Sequence, residues 1–352
     1  MPSLRREVIK ILLRRAEGTP LCQLIKKSAN IIQCEVTIPM SLKNQILFEL
    51  LTNNDYISGE YLAEKFGKSR AGVWKAVKSL QADGYKISAV TNKGYLLTDD
   101  GNILNETTIK ARLKHDIRVA FYDETDSTNN QAKRLISNCG SENLLVCAGS
   151  QTAGRGRQGK SFYSPENTGI YMSLVIHPDS SLQNAVTATT AAAVAVCRAI
   201  ESLTNITPEI KWVNDVYVNG RKICGILTEA VTDFESGTVS SVIIGIGVNI
   251  TTENFPSDVE NAGALNADIS RSTLIARIAD ELMEIALGDY SAFIGYYRTH
   301  SMIIGREITF FENGTAIGAT ALEIDETGGL VVKTESGETR TLRSGEITVR
   351  RK

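Results

Sequence analysis

The chain has 352 residues, 42% of them hydrophobic, and a formal net charge of −2 at pH 7. This length suits two or three domains, and the charge excludes a globally basic protein, so any nucleic-acid binding must come from a local patch. No apolar run approaches the roughly 20 residues that span a bilayer. The six cysteines have no C-x-x-C spacing, which argues against a zinc site or a disulfide framework and indicates a reduced, intracellular protein.

The first 39 residues differ from the rest of the chain. Residues 4–16 have the spacing of a basic amphipathic helix that Gly18-Thr19-Pro20 would end, and the apolar residues that follow have no partner domain within reach. A regular helix pattern begins only after Met40. We therefore expect residues 1–39 to be a disordered arm or an over-extended reading frame with its physiological start at Met40. Abundant peptides from residues 1–39 in the native protein would contradict the second alternative.

Residues 40–100 have the pattern of a winged helix-turn-helix. Apolar residues recur at helical spacing after Leu42, and Ser58 and Ser69 can cap two further helices. Two short strands, residues 86–90 and 94–97, follow the third helix and predict the wing.

The third helix of this module, residues 70–82, buries an apolar stripe and presents polar side chains. The candidate DNA contacts are Ser69, Arg70, Trp74, Lys75 and Lys78, together with Lys93 in the wing. One interpretation puts this helix in the major groove and Lys93 on a phosphate. The alternative is a small helical module that docks on protein, with its lysines solvated.

After a hinge near residues 99–102, residues 101–305 alternate strands and helices, which is typical of a mixed α/β domain. Thr128 to Gln131 has the spacing of a capping box, which predicts a helix through Ile136. Residues 182–203 read as a buried helix. Asn219-Gly220 is a strong hairpin signal that returns Lys222 toward the turn at residues 211–215.

A glycine-rich loop lies between the strands predicted at residues 144–148 and 170–176. Its sequence from Gly154 to Ser161 matches both G-x-x-x-x-G-K-[ST] and G-x-G-x-x-G. Both motifs require a helix directly after the loop, whereas here a turn rich in Pro, Asn and Gly follows. We therefore predict a mobile basic loop whose side chains close over an anion. The plain alternative is a basic surface hairpin.

Residues 306–352 change to short β-runs separated by glycine-containing turns. This spacing predicts a five-stranded, SH3-like β-barrel. The predicted fold class is therefore α+β multidomain, with a winged helix-turn-helix, a central mixed α/β domain and a small C-terminal barrel.

Five segments stand in the order found in biotin protein ligases. They are Asp126-Ser127-Thr128-Asn129, the loop after Gln151, Lys211-Trp212-Val213-Asn214-Asp215, Arg221 to Leu227 and Gly245 to Asn249. The chain resembles this family from about Leu42 to Arg350, and with its DNA-binding front it resembles the bifunctional biotin ligases and biotin operon repressors. Val213 departs from the family's usual proline, and Phe162 stands where a tryptophan is common.

The resemblance implies a ligase domain that forms biotinoyl-5′-AMP from biotin and ATP, then biotinylates a lysine of biotin carboxyl carrier protein. The catalytic cations would be Arg155, Arg157 and Lys222, acting with Mg²⁺. The residues expected to bind biotin are Ser127, Thr128, Asn129, Gln151, Arg155, Gly156, Arg157 and Lys222. Those expected to bind ATP are Arg157, Phe162, Asn214 and Asp215, and Asp215 is also the candidate Mg²⁺ ligand.

In this setting DNA binding is the favoured role of the front module. Operator DNA is the expected partner, and a homodimer is expected because two-fold symmetric dimers commonly read operators. The expected location is the cytoplasm, without membrane association. Two alternatives stay open, namely a biotin- or adenylate-sensing regulator without ligase turnover and a lipoate-type ligase.

Overall fold

The computed structural model describes residues 40–349, apart from 137–141, 178–183, 233–237 and the single positions 258, 260, 289, 313 and 346. The N-terminal extension predicted over residues 1–39 therefore lies outside the described residues, as do Cys22, Cys34 and Cys139. The three described cysteines are free and buried.

The winged helix-turn-helix predicted at the front of the chain is confirmed. Its elements are α1 (Leu42–Thr52), α2 (Gly59–Lys65), α3 (Arg70–Ala82), β1 (Lys86–Val90) and β2 (Gly94–Asp99). The side chains of Ser58 and Ser69 accept hydrogen bonds from the first turns of α2 and α3. The helices and the antiparallel wing enclose a small apolar core of their own.

The segment predicted as a hinge is held against the next domain. Arg112 forms an ion pair with Asp100. The Arg271 backbone N–H donates to Asn102 Oδ1 at 2.8 Å, and its buried guanidinium donates to the Asn102 carbonyl at 3.0 Å. These contacts fasten the linker between the front module and the central domain.

A seven-stranded sheet forms the centre of the molecule, in the order β3-β4-β5-β9-β8-β7-β6. The strands are β3 (Arg118–Thr125), β4 (Leu144–Gln151), β5 (Gly169–Ile176), β6 (Glu209–Lys211), β7 (Asp215–Val218), β8 (Arg221–Thr232) and β9 (Val239–Asn249). β3 and β4 are parallel, and the other neighbouring strands are antiparallel. The glycine-rich loop therefore joins two adjacent antiparallel strands.

Helices cover both faces of this sheet. The helices of the central domain are α4 (Glu106–Lys110), α5 (Thr128–Ile136), α6 (Ala185–Leu203), α7 (Arg271–Leu287) and α8 (Tyr290–Thr299). α5 packs on one face through Ala132 and Leu135, whereas α6 and α7 belong to the large core on the other. By length and composition α6 could cross a membrane, contrary to the expectation that no apolar run approaches that size. Its most apolar window is 72% buried inside the protein, as in the core helix of a globular domain.

Two local predictions need correction. The helix expected from residue 182 begins at Ala185, where Asn184 caps it. The capping box expected from Thr128 to Gln131 is wrong, because Thr128 is already the first helical residue. Its hydroxyl instead lies within hydrogen-bond distance of Ser173 Oγ, at 2.7 Å, and Gln131 Nε2 donates to the Tyr122 hydroxyl at 2.8 Å. The Asn219-Gly220 hairpin is confirmed, with φ angles of 51° and 72°.

The C-terminal segment forms a five-stranded antiparallel sheet in the order β13-β12-β11-β10-β14. The strands are β10 (Glu307–Glu312), β11 (Thr315–Ile324), β12 (Leu330–Thr334), β13 (Thr339–Leu342) and β14 (Ile347–Val349). Within the described part of this segment no pairing joins β13 to β14, so the closed barrel is not seen there. Gly328 lies against α6, and its carbonyl accepts from Trp212 Nε1 at 2.9 Å.

We predict that Gly94→Ala destabilises the front module by about 2 kcal/mol or more, because backbone strain and a steric clash combine. Gly94 has φ +111°, and an added Cβ would lie 2.0 Å from the Ile57 carbonyl oxygen. Thermal unfolding and titration with DNA measure the effect. Gly67→Ala is the matched control, because Gly67 also has positive φ but an added Cβ meets open space. Equal losses in the two variants would contradict the steric explanation.

Candidate active site

A cavity of about 670 Å³ opens where the glycine-rich loop, β7, β8, β9 and the C-terminal sheet meet. All the residues predicted to bind biotin or ATP line this cavity. They are Ser127, Thr128, Asn129, Gln151, Arg155, Gly156, Arg157, Phe162, Asn214, Asp215 and Lys222. Residues that are far apart in the chain therefore form one site of the size used for small ligands.

The start of α5 forms a buried polar wall of the cavity. Ser127, Thr128 and Asn129 are each less than 5% exposed. The Thr128 backbone N–H donates to Gln151 Oε1 at 2.8 Å, and Gln151 Nε2 donates to Ser164 Oγ at 2.9 Å. These bonds give the polar groups fixed directions.

An ion pair secures the chain just before this wall. Both terminal nitrogens of Arg134 donate to the carboxylate of Asp126, at 2.8 and 2.7 Å. Arg134 holds the pKa of Asp126 well below its usual range. Asp126 therefore stays ionised and anchors the helix start at neutral pH.

The Asn129 amide has a defined orientation. Its Nδ2 donates to the Leu227 carbonyl at 3.2 Å and to Glu229 Oε2 at 2.9 Å. Its Oδ1 accepts from Ser173 Oγ at 2.6 Å. Both N–H groups are thus engaged, whereas the carbonyl oxygen keeps a second lone pair for a ligand. Gly245 makes room for this amide, because an added Cβ would lie 2.2 Å from Asn129 Oδ1.

The glycine-rich loop is a hairpin and not a phosphate-binding loop with a helix after it. A short 3₁₀ turn spans Arg157–Gly159, and the chain then returns toward β5. The loop closes on itself through hydrogen bonds from the Gly156 N–H to the Lys160 carbonyl and from the Phe162 N–H to the Gly154 carbonyl. The prediction that neither nucleotide motif applies is confirmed.

The two loop arginines contact different groups. Arg155 Nη1 donates to Asn130 Oδ1 at 3.0 Å and lies 3.3 Å from Glu229 Oε1. Arg157 Nη1 instead donates to Asn214 Oδ1 at 3.1 Å. The loop therefore has one cation beside α5 and β8 and another beside the turn before β7.

Lys222 and Asp215 form an ion pair beside the turn before β7, with Nζ and Oδ1 2.7 Å apart. The neighbouring Asn214 is fixed by Ile226, whose N–H donates to the Asn214 carbonyl at 3.0 Å and whose carbonyl accepts from Asn214 Nδ2 at 3.2 Å. The Asn214 side-chain oxygen thereby faces Arg157. The preceding Trp212–Val213 peptide bond is cis.

Phe162 lies over a gap in the sheet that two glycines create. Gly225 and Gly247 are directly opposite each other on β8 and β9. An added Cβ would approach the Phe162 ring to 3.2 Å at Gly225 and to 2.4 Å at Gly247. The ring also meets Tyr171 edge to face, with centroids 6.5 Å apart. Phe162 thus offers a fixed aromatic surface to the cavity.

Several cavity residues were not predicted from the sequence. Tyr163 and Phe255 meet edge to face at 6.2 Å between centroids, and the C-terminal sheet adds Gly345, Ile347 and Thr348. Glu229 joins the site through Asn129 and Arg155. A single glutamate in a strand or an aromatic residue in a loop has no spacing pattern that would have identified it.

The residues predicted to contact DNA lie on the front module. Arg70, Trp74, Lys75, Lys78 and Lys93 are exposed, and Ser69 caps α3 beside them. Trp74 is 52% exposed, and Lys78 Nζ lies 6.0 Å from its ring centroid. This arrangement suits a helix that inserts cationic and aromatic side chains into a DNA groove.

The chain was compared with protein-family models. The Biotin/lipoate A/B protein ligase family matches residues 121–249, an HTH domain matches residues 43–96 and the Biotin protein ligase C terminal domain matches residues 303–350. Together these matches define a three-part protein with a helix-turn-helix domain in front of a biotin/lipoate-type ligase domain.

Comparison with individual proteins gives the same result as the family models. The chain is 36% identical to the bifunctional ligase/repressor BirA of Bacillus subtilis, over 83% of this chain and 94% of that protein. It is 27% identical to BirA of Escherichia coli, over 89% and 98%. The solved biotin protein ligase from Aquifex aeolicus in complex with biotin and ATP superposes with a TM-score of 0.56 and 27% identity, over 67% of this chain and 99% of that one. The chain belongs to the biotin protein ligase family, among its bifunctional ligase/repressors.

We predict that Gly247→Ala raises the KM for ATP about tenfold or more, because the new methyl group displaces Phe162. Steady-state kinetics with ATP varied at saturating biotin measure this effect. Gly225→Ala, whose added Cβ would lie 3.2 Å from the same ring instead of 2.4 Å, should raise the KM less. Unchanged ATP kinetics in Gly247→Ala would contradict the role given to the glycine gap.

Proposed function

We propose that this protein joins biotin to a lysine of biotin carboxyl carrier protein through biotinoyl-5′-AMP, and that it represses transcription in response to biotin. It is a biotin-[acetyl-CoA-carboxylase] ligase with a DNA-binding domain. One observation carries the proposal, namely that a single cavity collects every residue expected to meet biotin or ATP. The family membership identifies the ligand chemistry that this cavity serves.

In the first step a carboxylate oxygen of biotin attacks the α-phosphorus of ATP. A new P–O bond forms and the bond to pyrophosphate breaks. Two anions must approach each other, so cationic side chains are needed to offset their repulsion and the charge of the transition state. Arg157 and Lys222 are the cations beside the Asn214-Asp215 turn, and Arg155 is a third at the α5 side of the cavity.

The buried polar wall suits the ring of biotin. A cyclic urea is neutral and carries both N–H donors and a carbonyl acceptor, so it needs fixed partners of both kinds in a dry pocket. Ser127 and Thr128 supply hydroxyl groups, and Asn129 supplies an oriented carbonyl oxygen. Gln151 and the backbone of Gly156 complete this side of the site.

In the second step the neutral lysine amine of the carrier protein attacks the carbonyl carbon of the mixed anhydride. The C–N bond forms, AMP departs with the electrons of the broken C–O bond, and the amine loses a proton. The anhydride must be kept from water before the carrier arrives. The glycine-rich loop, tied to both sides of the cavity by Arg155 and Arg157, serves as the cover.

A magnesium ion that enters with ATP fits the residues present. Such an ion keeps several waters and usually takes one or two protein carboxylates in addition to the phosphates. Asp215 offers one carboxylate in the cavity, and within the described residues no cluster of three or more His, Cys, Asp or Glu forms a separate metal site. Asp215 and Asn214 would hold the ion, whose charge would neutralise phosphate oxygens.

The front module provides the regulatory function. α3 enters the major groove of the operator, and Lys93 in the wing reaches a phosphate. A homodimer reads the operator, because a two-fold symmetric site requires two copies of this helix. The module adjoins residues 101–305, the ligase domain, and residues 306–352 form a domain of SH3-like topology. We place the protein in the cytoplasm, where ATP and the carrier protein meet.

Transfer of labelled biotin to a carrier-protein fragment tests this function. We expect transfer that depends on ATP and on biotin, and no transfer when lipoate replaces biotin. Transfer of lipoate would indicate the lipoate-type alternative. Tight binding of biotin without any transfer would indicate a ligand-sensing regulator without turnover.

We predict that Lys222→Ala and Arg157→Ala each lower the rate of adenylate formation about 100-fold or more, because each removes a cation from the site of phosphoryl attack. Pyrophosphate release in a single turnover measures the rate. Lys110→Ala is the control, because it removes an exposed cation of the same domain that does not line the cavity, and it should change the rate less than about threefold. Near-normal rates in either cavity variant, with an intact circular dichroism spectrum, would refute the assignment.

A further inference from the structure

Glu229 connects three parts of the cavity wall, although it is not one of the groups expected to touch the reacting atoms. It lies on β8, and its side chain is 19% exposed. One carboxylate oxygen accepts from Asn129 Nδ2 at 2.9 Å. The other accepts from Lys133 Nζ at 2.7 Å and lies 3.3 Å from Arg155 Nη1. A single acidic side chain thus contacts α5 twice and the glycine-rich loop once.

We propose that Glu229 is a positioning residue for biotin, which presents the Asn129 carbonyl oxygen to the ligand and holds Arg155 beside the pocket. This inference rests on the proposed function, since it specifies how the biotin end of that site is organised.

The first argument concerns the direction of the Asn129 amide. An amide can be turned so that its oxygen and nitrogen exchange places with little change of shape, and only hydrogen bonding decides between the two orientations. The ionised Glu229 and the Leu227 carbonyl accept hydrogen bonds and cannot donate them. The Asn129 N–H groups must therefore face β8, and its oxygen must face Ser173 and the cavity.

The residues around Asn129 also restrict the orientation of its amide. The residue is only 3% exposed, and Gly245 packs so closely that an added Cβ would lie 2.2 Å from its oxygen. Burial and this close approach restrict the movement of the amide on the side of Gly245. Glu229 consequently sets which polar atom a ligand meets at this point.

The charge on Glu229 persists at neutral pH. Burial alone would raise the pKa of this carboxyl, but hydrogen bonds from Lys133 and Asn129 and the nearby charges of Lys133 and Arg155 outweigh burial and lower the pKa. The carboxylate therefore remains an acceptor throughout the range in which the enzyme would work.

The second argument concerns Arg155. Its Nη1 is shared between Glu229 and Asn130 Oδ1, so the glycine-rich loop is joined to β8 and to α5 at the same point. Loss of the Glu229 charge would leave Arg155, among the described residues, with the neutral Asn130 as its partner. The loop and the Asn129 amide would then lose their common support together.

This arrangement has a consequence for specificity. A fixed acceptor deep in a dry pocket favours a ligand ring that carries an N–H group, and it disfavours a ring without one because the acceptor would then be left unpaired. Biotin has such an N–H in its cyclic urea, whereas a dithiolane ring has none. Glu229 thereby contributes to selection of biotin through Asn129.

The test uses Glu229→Gln in the full chain, because glutamine keeps the shape but can donate a hydrogen bond and has no charge. We expect the dissociation constant for biotin, measured by calorimetry without ATP, to rise about tenfold or more. The KM for ATP should change less than about threefold, since Glu229 does not contact the turn at Asn214 and Asp215 or the cations beside it.

Two further variants separate positioning from a general effect. Lys133→Met removes the exposed partner of Glu229 and leaves Asn129 and Arg155 in contact with it, so biotin affinity should stay within about twofold of the wild type. Glu229→Asp keeps an acceptor-only group and should bind biotin more tightly than Glu229→Gln. If Glu229→Gln does not fold, Glu229→Asp replaces it in the test. Its shorter carboxylate contacts Asn129 less closely, so it should bind biotin more weakly than the wild type.

Unchanged biotin affinity in Glu229→Gln would overturn this inference, and so would an equal loss in Lys133→Met. If the wild-type protein binds biotin and transfers it, either result would leave the proposed function standing. A wild-type protein that binds no biotin would overturn the proposed function and this inference with it.

Discussion

The cavity must hold two anions, a carboxylate and a triphosphate, next to each other, and the rest of the structure serves this requirement. Every cation proposed for this task already has a polar partner that gives it a place. Arg157 donates to Asn214, Lys222 pairs with Asp215, and Arg155 lies between Asn130 and Glu229. These partners keep the cations ordered, so little rearrangement is required when the substrates arrive.

The fold supplies these partners by long-range connections. The Asn219-Gly220 hairpin returns Lys222 to the turn that carries Asp215, and the C-terminal sheet holds the same turn through the bond from Trp212 to Gly328. Glycines opposite each other on β8 and β9 leave the space that Phe162 covers. Small side chains on the central strands thus create the cavity, and the glycine-rich loop and the segment after β9 also line it.

Much of this organisation was predictable from the sequence, because it depends on local chemistry. Serine caps, helical spacing and the Asn-Gly turn identified the winged helix-turn-helix and the central hairpin, and ordered motifs identified the cavity residues. The predicted capping box at Thr128 failed because Ser173 and Gln151, both distant in sequence, bind that hydroxyl. Glu229, Tyr163 and Phe255 were missed for the same reason, since their contacts arise only when separate strands and loops meet. The closed C-terminal barrel predicted from the sequence is not seen in the described residues, because the edge strands β13 and β14 follow each other in the chain but do not pair.

The central claim is that the cations in this cavity promote attack of a biotin carboxylate on ATP. Exchange of labelled pyrophosphate into ATP, without any carrier protein, tests that step most directly because it requires the adenylate to form and reverse. The account predicts exchange that depends on biotin and disappears when biotin is replaced by biotin amide, which lacks the attacking carboxylate. Biotin binding without exchange, or exchange that proceeds without biotin, would contradict it.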